Sequence, residues 1–331
     1  MKPKPRGTDM EASDERMHPV IERVMENIEK VLIGKRQVAL LALTALFADG
    51  HVLLEDVPGV GKTMLVRAIA KSLGAEFKRI QFTPDLLPSD LTGLSIYNQK
   101  DSVFEFRPGP LMGNVILADE INRTSPKTQA ALLEGMGEGA VTVDGQTRVL
   151  PKPFFVMATQ NPIEYEGTFP LPEAQLDRFL LKLKMGYPNK TEELEMLNRL
   201  ESYHPIQDSV PVLSIEDILD LQASARMVYV EESIKKYLIE IVTRTRSHRQ
   251  VYLGASPRGS LALMKVAQAH AMMYDRKYVV PDDIKELAPV VLGHRLILKP
   301  DAKYSGVHSE DIVLEVLKQV QVPIFKKDTV K

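Results

Sequence analysis

His51-Val-Leu-Leu-Glu55-Asp56-Val57-Pro58-Gly59-Val60-Gly61-Lys62-Thr63-Met64 decides the fold: an apolar run, a glycine-bearing turn, then helical composition as far as Ser72. In the order strand, loop, helix, the backbone N–H groups that follow Pro58 make an anion cradle, and the helix N-terminus adds its dipole. Pro58, Gly59, Val60, Gly61, Lys62, Thr63 and Met64 are therefore the candidate phosphate-binding residues, with Lys62 reaching terminal phosphates and Thr63 holding Mg2+. Glycine is usual where Asp56 stands, so the match to a phosphate-binding loop is incomplete at that position.

A second apolar run, Val115-Ile-Leu-Ala, ends in Asp119-Glu120. Two acids at a strand end can be merely solvated, but beside a phosphate cradle they have work to do. An aspartate in this position holds Mg2+ through its waters, and the adjacent glutamate can orient and polarise the attacking water. Asp119 takes the first role and Glu120 the second, which points to ATP as cofactor and to its hydrolysis.

From Val20 to about Pro188, short apolar runs alternate with helical stretches, the pattern of a parallel sheet with helices on both faces. His51–Glu55, Phe77–Phe82, Val115–Ala118 and Phe154–Ala158 are the clearest strands. Ligands of such sheets bind beyond the carboxyl ends of the strands, where Asp56, Asp119, Glu120 and Asn161 fall. Val141 and Val143, then Thr147 and Val149, flank Asp144-Gly145, the turn chemistry of a two-residue hairpin. After Pro188 strand signals fade, and Glu192–Tyr203, Ile215–Arg226, Ser233–His248, Pro257–Tyr274 and Asp282–Gly293 carry helical periodicity. The reading is an α/β core over residues 18–187, a smaller all-helical second domain over 188–331, and a solvated tail over 1–17.

Composition narrows the function. Of 331 residues, 42 are Lys or Arg and 44 Asp or Glu, so net charge gives no pull toward nucleic acid or an anionic membrane. No cysteine is present, which excludes disulfides, thiolate metal sites and cysteine nucleophiles, and fits a reducing, cytoplasmic compartment. The most apolar stretch, Val38–Ala48, is too short to span a bilayer and reads as a buried helix. The seven histidines form no pair at ligand spacing. Asn189-Lys-Thr-Glu192 nearly spells a guanine-recognition sequence, yet Asn189 three residues before Glu192 is a helix-cap arrangement.

With these motifs quoted, the chain resembles an AAA+ ATPase of the MoxR family from Val20 to its last residue. DVPGVGKT is similar to that family's own P-loop, Asp56 included, and ADEINRTSPKTQAALLEGM resembles its second nucleotide motif. The resemblance implies a P-loop AAA+ core followed by a helical lid. It further implies that Ile33 and Gly34 contact adenine and that Asn161, in Ala158-Thr-Gln-Asn161-Pro162, is the sensor 1 residue that positions the attacking water. Leu171-Pro-Glu-Ala-Gln-Leu-Asp177-Arg178-Phe179 is similar to the arginine-finger segment, so Arg178 is expected to reach the neighbouring subunit's site. Gly254-Ala-Ser-Pro257-Arg258-Gly259 resembles sensor 2, with Ser256 as N-cap and Arg258 contacting the nucleotide from the second domain. Leu94–Met112 and the Asp144-Gly145 hairpin resemble inserts that face the centre of a ring.

The family implies a homo-oligomer, a hexameric ring, that remodels or matures protein partners, including von Willebrand A domain proteins and metal insertion into them. The alternative from another class is a DNA-directed motor of helicase or restriction type, which shares the inserts. Near-neutral charge and 6% aromatic residues weigh against it. A third, a nucleotide-dependent binding switch with negligible turnover, is opposed by Glu120 and Arg178.

Overall fold

A run such as Val115–Ala118, with no polar break, is stable in a sheet covered on both faces. The computed structural model, which describes residues 16–161, 167–200 and 205–323, places it so. Most of the expected tail lies outside the described residues. In chain order the first part is α1 (Pro19–Glu29), α2 (Arg36–Phe47), β1 (Val52–Glu55), α3 (Lys62–Ser72), β2 (Phe77–Gln81), α4 (Pro88–Thr92), β3 (Gly93–Asn98), β4 (Val103–Pro108), β5 (Val115–Asp119), α5 (Pro126–Glu138), β6 (Ala140–Val143), β7 (Gln146–Val149), β8 (Phe155–Gln160), α6 (Glu173–Leu176) and β9 (Leu181–Leu183).

Five of these strands pair in parallel in the order β2-β5-β8-β1-β9. The side-chain period of two sends alternate residues to opposite faces. Val52, Leu54, Val115, Leu117, Phe155 and Met157 pack with α1, α2 and α3, whereas Leu53, Ile116, Ala118, Val156 and Ala158 pack with Leu132 and Leu133 of α5. The polar strand β2, with Lys78, Arg79 and Gln81, takes one edge. The register aligns Gln81 with Asp119 and Glu55 with Gln160, so the carboxyl ends form one rim.

Two antiparallel hairpins, β3-β4 and β6-β7, interrupt the parallel plan, and both match the inserts read from the sequence. At the second, Asp144 and Gly145 have φ of 52° and 75°, as a type I′ turn requires. Strand β9 carries too short an apolar signal, Leu-Lys-Leu, to be read from sequence, and is held by its pairing with β1.

The remainder is α7 (Lys190–Leu200), α8 (Ile215–Met227), α9 (Glu232–Ser247), β10 (Val251–Leu253), α10 (Pro257–Met273), α11 (Pro281–Leu292), β11 (Ile297–Leu298), α12 (Pro300–Tyr304) and α13 (Ser309–Gln319). The helices carry one short antiparallel pair, β10-β11, that the all-helical expectation omits. Their apolar core is continuous with the sheet face that bears α2. Gln222 donates to the carbonyl of Leu46 at 2.7 Å, and the N–H of His18 to that of Met273 at 2.8 Å. Helix α2 is apolar almost all round, as a helix covered on both sides must be.

Candidate nucleotide site

The loop between β1 and α3 is shaped by its glycines. Gly59 and Gly61 have φ of 84° and 95°, left-handed backbone that favours glycine. A Cβ on Gly59 would meet nothing within 4 Å, and one on Gly61 only the tip of Met185 at 3.9 Å, so both backbones face open space. Helix α3 begins at Lys62, and its free N–H groups open onto this cradle. Burial holds the Lys62 ammonium below its ordinary range, against the opposing pull of Asp119, Asp56 and Glu120. Its Nζ donates to the carbonyl of Asp56 at 2.7 Å.

The two acids stand on the same rim. Thr159, fully buried on β8, ties them together: its hydroxyl accepts from the N–H of Glu120 at 2.8 Å and donates to Asp119 Oδ1 at 2.7 Å. Arg79 donates to Asp119 Oδ2 at 2.8 Å and to Gln81 Oε1 at 3.0 Å. Gln81 in turn donates to Glu120 Oε2 at 2.9 Å, and Arg123 pairs with that oxygen at 3.0 Å. Glu120 has φ of 58° and ψ of 51°, a left-handed conformation that a non-glycine residue adopts at a cost of about 1–3 kcal/mol and that concentrates at functional sites. Asn161 is buried just beyond β8, and its carbonyl accepts from Asn122 at 3.5 Å. Pro162 lies outside the described residues.

Beside the cradle is a mainly apolar pocket lined by Val31 and Ile33 from between α1 and α2, Val60 and Met64 from the loop and start of α3, and Pro188 and Met196 from before and within α7. Its character suits a flat heteroaromatic base, and the glycine cradle next to it suits phosphates. Asp119 and the Thr63 hydroxyl are hard oxygen donors of the kind Mg2+ takes together with phosphate and water. Among the described residues no group of three or more His, Cys, Asp or Glu is placed to hold a metal ion.

Arg178 lies apart from these groups. It is exposed, and its Nη1 donates to the carbonyl of Leu133 in α5 at 2.8 Å. Arg258, at the start of α10, lies 3.7 Å from Asp177, the neighbour of Arg178, and is not among the residues lining the pocket. Ser256 occupies the N-cap position of α10, but its side chain makes no capping bond. The cap read at Asn189 is present: its Oδ1 accepts from the N–H of Thr191 at 2.9 Å and of Glu192 at 3.0 Å. Arg79, Gln81, Arg123 and Thr159 join the rim without a sequence motif that gives them a role there. For Arg79 and Gln81 the available signal was their place at the carboxyl end of an edge strand.

Similarity to known proteins bears on this geometry. A family model described as "ATPase family associated with various cellular activities (AAA)" matches residues 51–181, and an AAA lid domain model matches residues 243–316. The chain is 43% identical over 312 residues to Chaperone MoxR1 of Mycobacterium tuberculosis, covering 92% of this chain and 82% of that one. This chain belongs to the MoxR family of AAA+ ATPases. YeaC of Bacillus subtilis, an uncharacterized protein, is 62% identical over 313 residues, covering 95% of this chain and 98% of its own. The crystal structure of a proposed ATPase from Cytophaga hutchinsonii superposes with a TM-score of 0.87 at 42% identity, covering 92% of this chain and 95% of that chain. The MoxR-family protein is thus an ATP-hydrolysing enzyme with a P-loop α/β core and a helical lid. No helix among the described residues is long and apolar enough to cross a membrane.

Proposed function

We propose that this protein is a cytoplasmic ring ATPase, a hexamer of identical subunits, that remodels or matures protein partners. The observation that carries the reading is the shared rim on which Lys62, Asp119 and Glu120 meet beside a glycine cradle with open space before it. In this reading Ile33 and Gly34 lie against adenine, and the backbone from Gly59 to Met64 and the Lys62 ammonium hold the phosphates. Thr63 and Asp119 hold Mg2+, which when bound neutralises charge on the transferring phosphoryl. Glu120 accepts a proton from the attacking water, and Asn161 orients that water. Arg178 is supplied by the adjoining subunit, and Arg258, next to Asp177, acts from the lid. The division into a core over 18–187 and a lid over 188–331 belongs to the same proposal.

The relative from M. tuberculosis carries the name chaperone, and protein partners with a von Willebrand A domain, including metal insertion into them, are the proposed cargo. The exposed apolar side chains of the β3-β4 hairpin, Leu94, Ile96, Tyr97, Val103 and Phe104, favour a protein over DNA as what the ring engages. The test is the ATPase rate of the full chain with a von Willebrand A domain protein, with single- and double-stranded DNA, and alone. Stimulation by the protein supports the reading, and stimulation by DNA alone replaces it with the DNA-motor alternative.

A further inference from the structure

The Asp56 carboxylate is engaged by backbone amides. Its Oδ1 accepts from the N–H of Val57 at 2.9 Å, and its Oδ2 accepts from the N–H groups of Met185 and Gly186 at 2.7 and 2.6 Å. Those two residues lie in the linker that runs from β9 to α7. The same linker is held from its carbonyl side by Lys35, whose Nζ donates to the oxygens of Met185, Gly186 and Tyr187 at 2.9, 3.1 and 3.3 Å. Lys35 is only 8% exposed, and three carbonyls meet the three donors of its ammonium. A charge so buried is tolerated because these peptide dipoles replace its water. Gly186, at φ 63°, lets the linker turn between the two grips.

The linker delivers α7 to the pocket. The N–H of Asn189 donates to Glu192 Oε2 at 2.9 Å, completing the reciprocal cap that starts the helix. The Glu192 carboxyl then sits where a Cβ on Gly34 would stand, so the helix start is seated on the Ile33-Gly34-Lys35 segment through the missing side chain. From there Pro188 and Met196 line the apolar pocket together with Ile33 and Val60. On the other side, Asp56 is tied through its own carbonyl to Lys62.

We infer that Lys35 and Asp56 are positioning residues for the nucleotide: together they clamp the linker 185–187 and so set the distance between the P-loop and the α7 wall that closes on the base. The inference rests on the reading of the apolar pocket as the base site. It explains why an aspartate occupies a position where glycine is usual, since glycine offers no acceptor to the two linker amides. Lys35 lines the apolar pocket itself, and the Asp56 carboxylate is engaged by the amides of Val57, Met185 and Gly186, so loosening the clamp is expected to affect the base more than the triphosphate.

The test is calorimetric binding of ATP and of inorganic tripolyphosphate to the full chain, together with KM and kcat, in Lys35→Met, Lys35→Arg and Asp56→Asn. Loss of charge-assisted hydrogen bonds to the linker is expected to weaken ATP about tenfold in Lys35→Met. Tripolyphosphate affinity is expected to stay within about twofold, with KM raised and kcat little changed. Lys35→Arg keeps the charge and recovers part of the loss. Asp56→Asn, a nearly isosteric change, shows the same base-selective loss in smaller degree and keeps the inference testable if Lys35→Met does not fold. Equal weakening of ATP and tripolyphosphate, or unchanged ATP affinity in both Lys35→Met and Asp56→Asn, overturns the clamp. Failure of the base-site reading looks different: the unmodified protein would then bind ATP no more tightly than tripolyphosphate.

Discussion

The guanidinium of Arg178 occupies the space that a side chain on Gly137 would need. A Cβ built on Gly137 collides with Arg178 Nη1, the nitrogen that donates to the carbonyl of Leu133 one turn earlier in α5. Glycine within a helix costs about 1 kcal/mol relative to alanine, so its presence near the end of α5 calls for a reason. Seating Arg178 supplies one. Gly137→Ala is expected to displace the guanidinium and, if Arg178 serves catalysis, to lower turnover by about 10²-fold, the effect of roughly 1 Å of misplacement. ATP affinity should not change. Steady-state kinetics beside direct nucleotide binding check this, and unaltered kcat would mean that the seat of Arg178 has no bearing on turnover.

Lys62→Ala is expected to lose productive ATP binding while leaving the unfolding midpoint nearly unchanged, because the hydrogen bond its ammonium makes among the described residues is to the Asp56 carbonyl and burial works against its charge. Glu120→Gln should retain nucleotide but lose turnover by about 10² to 10⁴, the usual contribution of a general base. The hydrogen bond from Gln81 and the pairing with Arg123 hold Glu120 in the structure described, and an amide in its place removes the proton acceptor without removing bulk. Near-normal hydrolysis in Glu120→Gln would leave Glu120 as no more than a neighbour of Asp119.

Stability should depend on pH through His51. Its ring is buried between β8 and α5, with Nδ1 accepting from the N–H of Val156 and Nε2 placed to donate to the carbonyl of Met136, both at 3.1 Å. Burial lowers its pKa from 6.5 to about 4. The folded state therefore resists a proton that the unfolded chain accepts, so the stability His51 provides is full above pH 6.5 and is lost as pH falls toward 4, by about 3 kcal/mol in all. Urea unfolding at a series of pH values should show this slope, flattened in His51→Gln, which cannot charge. An identical slope in that variant would assign the acid sensitivity elsewhere, with buried His294, also lowered well below its ordinary value, next in line.

What could be read from the sequence was what the chain places close together. Strand, glycine loop and helix lie within His51–Ser72, and the buried strand hands Asp119 and Glu120 to the rim in six consecutive residues. The turn at Asp144-Gly145 and the cap at Asn189 are equally local. What escaped depends on partners distant in sequence. Asp56 meets Met185 across 129 positions, Lys35 meets the same residue across 150, and Arg295 pairs with Asp177 across 118. No periodicity reports such pairings. Strand β9 escaped for the same reason, since its neighbour β1 rather than its own three residues makes it a strand.

Arg178 is exposed, its guanidinium resting on α5, and the segment that carries it is anchored by its own lid: Arg295, nearly buried, donates from Nε to Asp177 Oδ1 at 2.7 Å and from Nη2 to the carbonyl of Phe179 at 2.8 Å. An exposed arginine on a fixed pedestal suits action on a neighbouring subunit, where it would stabilise charge developing on the terminal phosphate. If so, specific activity should rise with protein concentration as rings assemble. Arg178→Ala should lose about 10³ to 10⁵ in turnover while each subunit still binds ATP. Mixing decides the question. Arg178→Ala and Lys62→Ala are each expected to be inactive alone, yet in mixed rings some interfaces pair an intact P-loop with an intact Arg178, so activity should partly return. A mixture that stays inactive, with mixed rings demonstrated by mass, would place Arg178 in its own subunit's site or require every site of the ring to be intact. Activity that is independent of concentration, with a monomeric mass throughout, would remove the intersubunit mechanism.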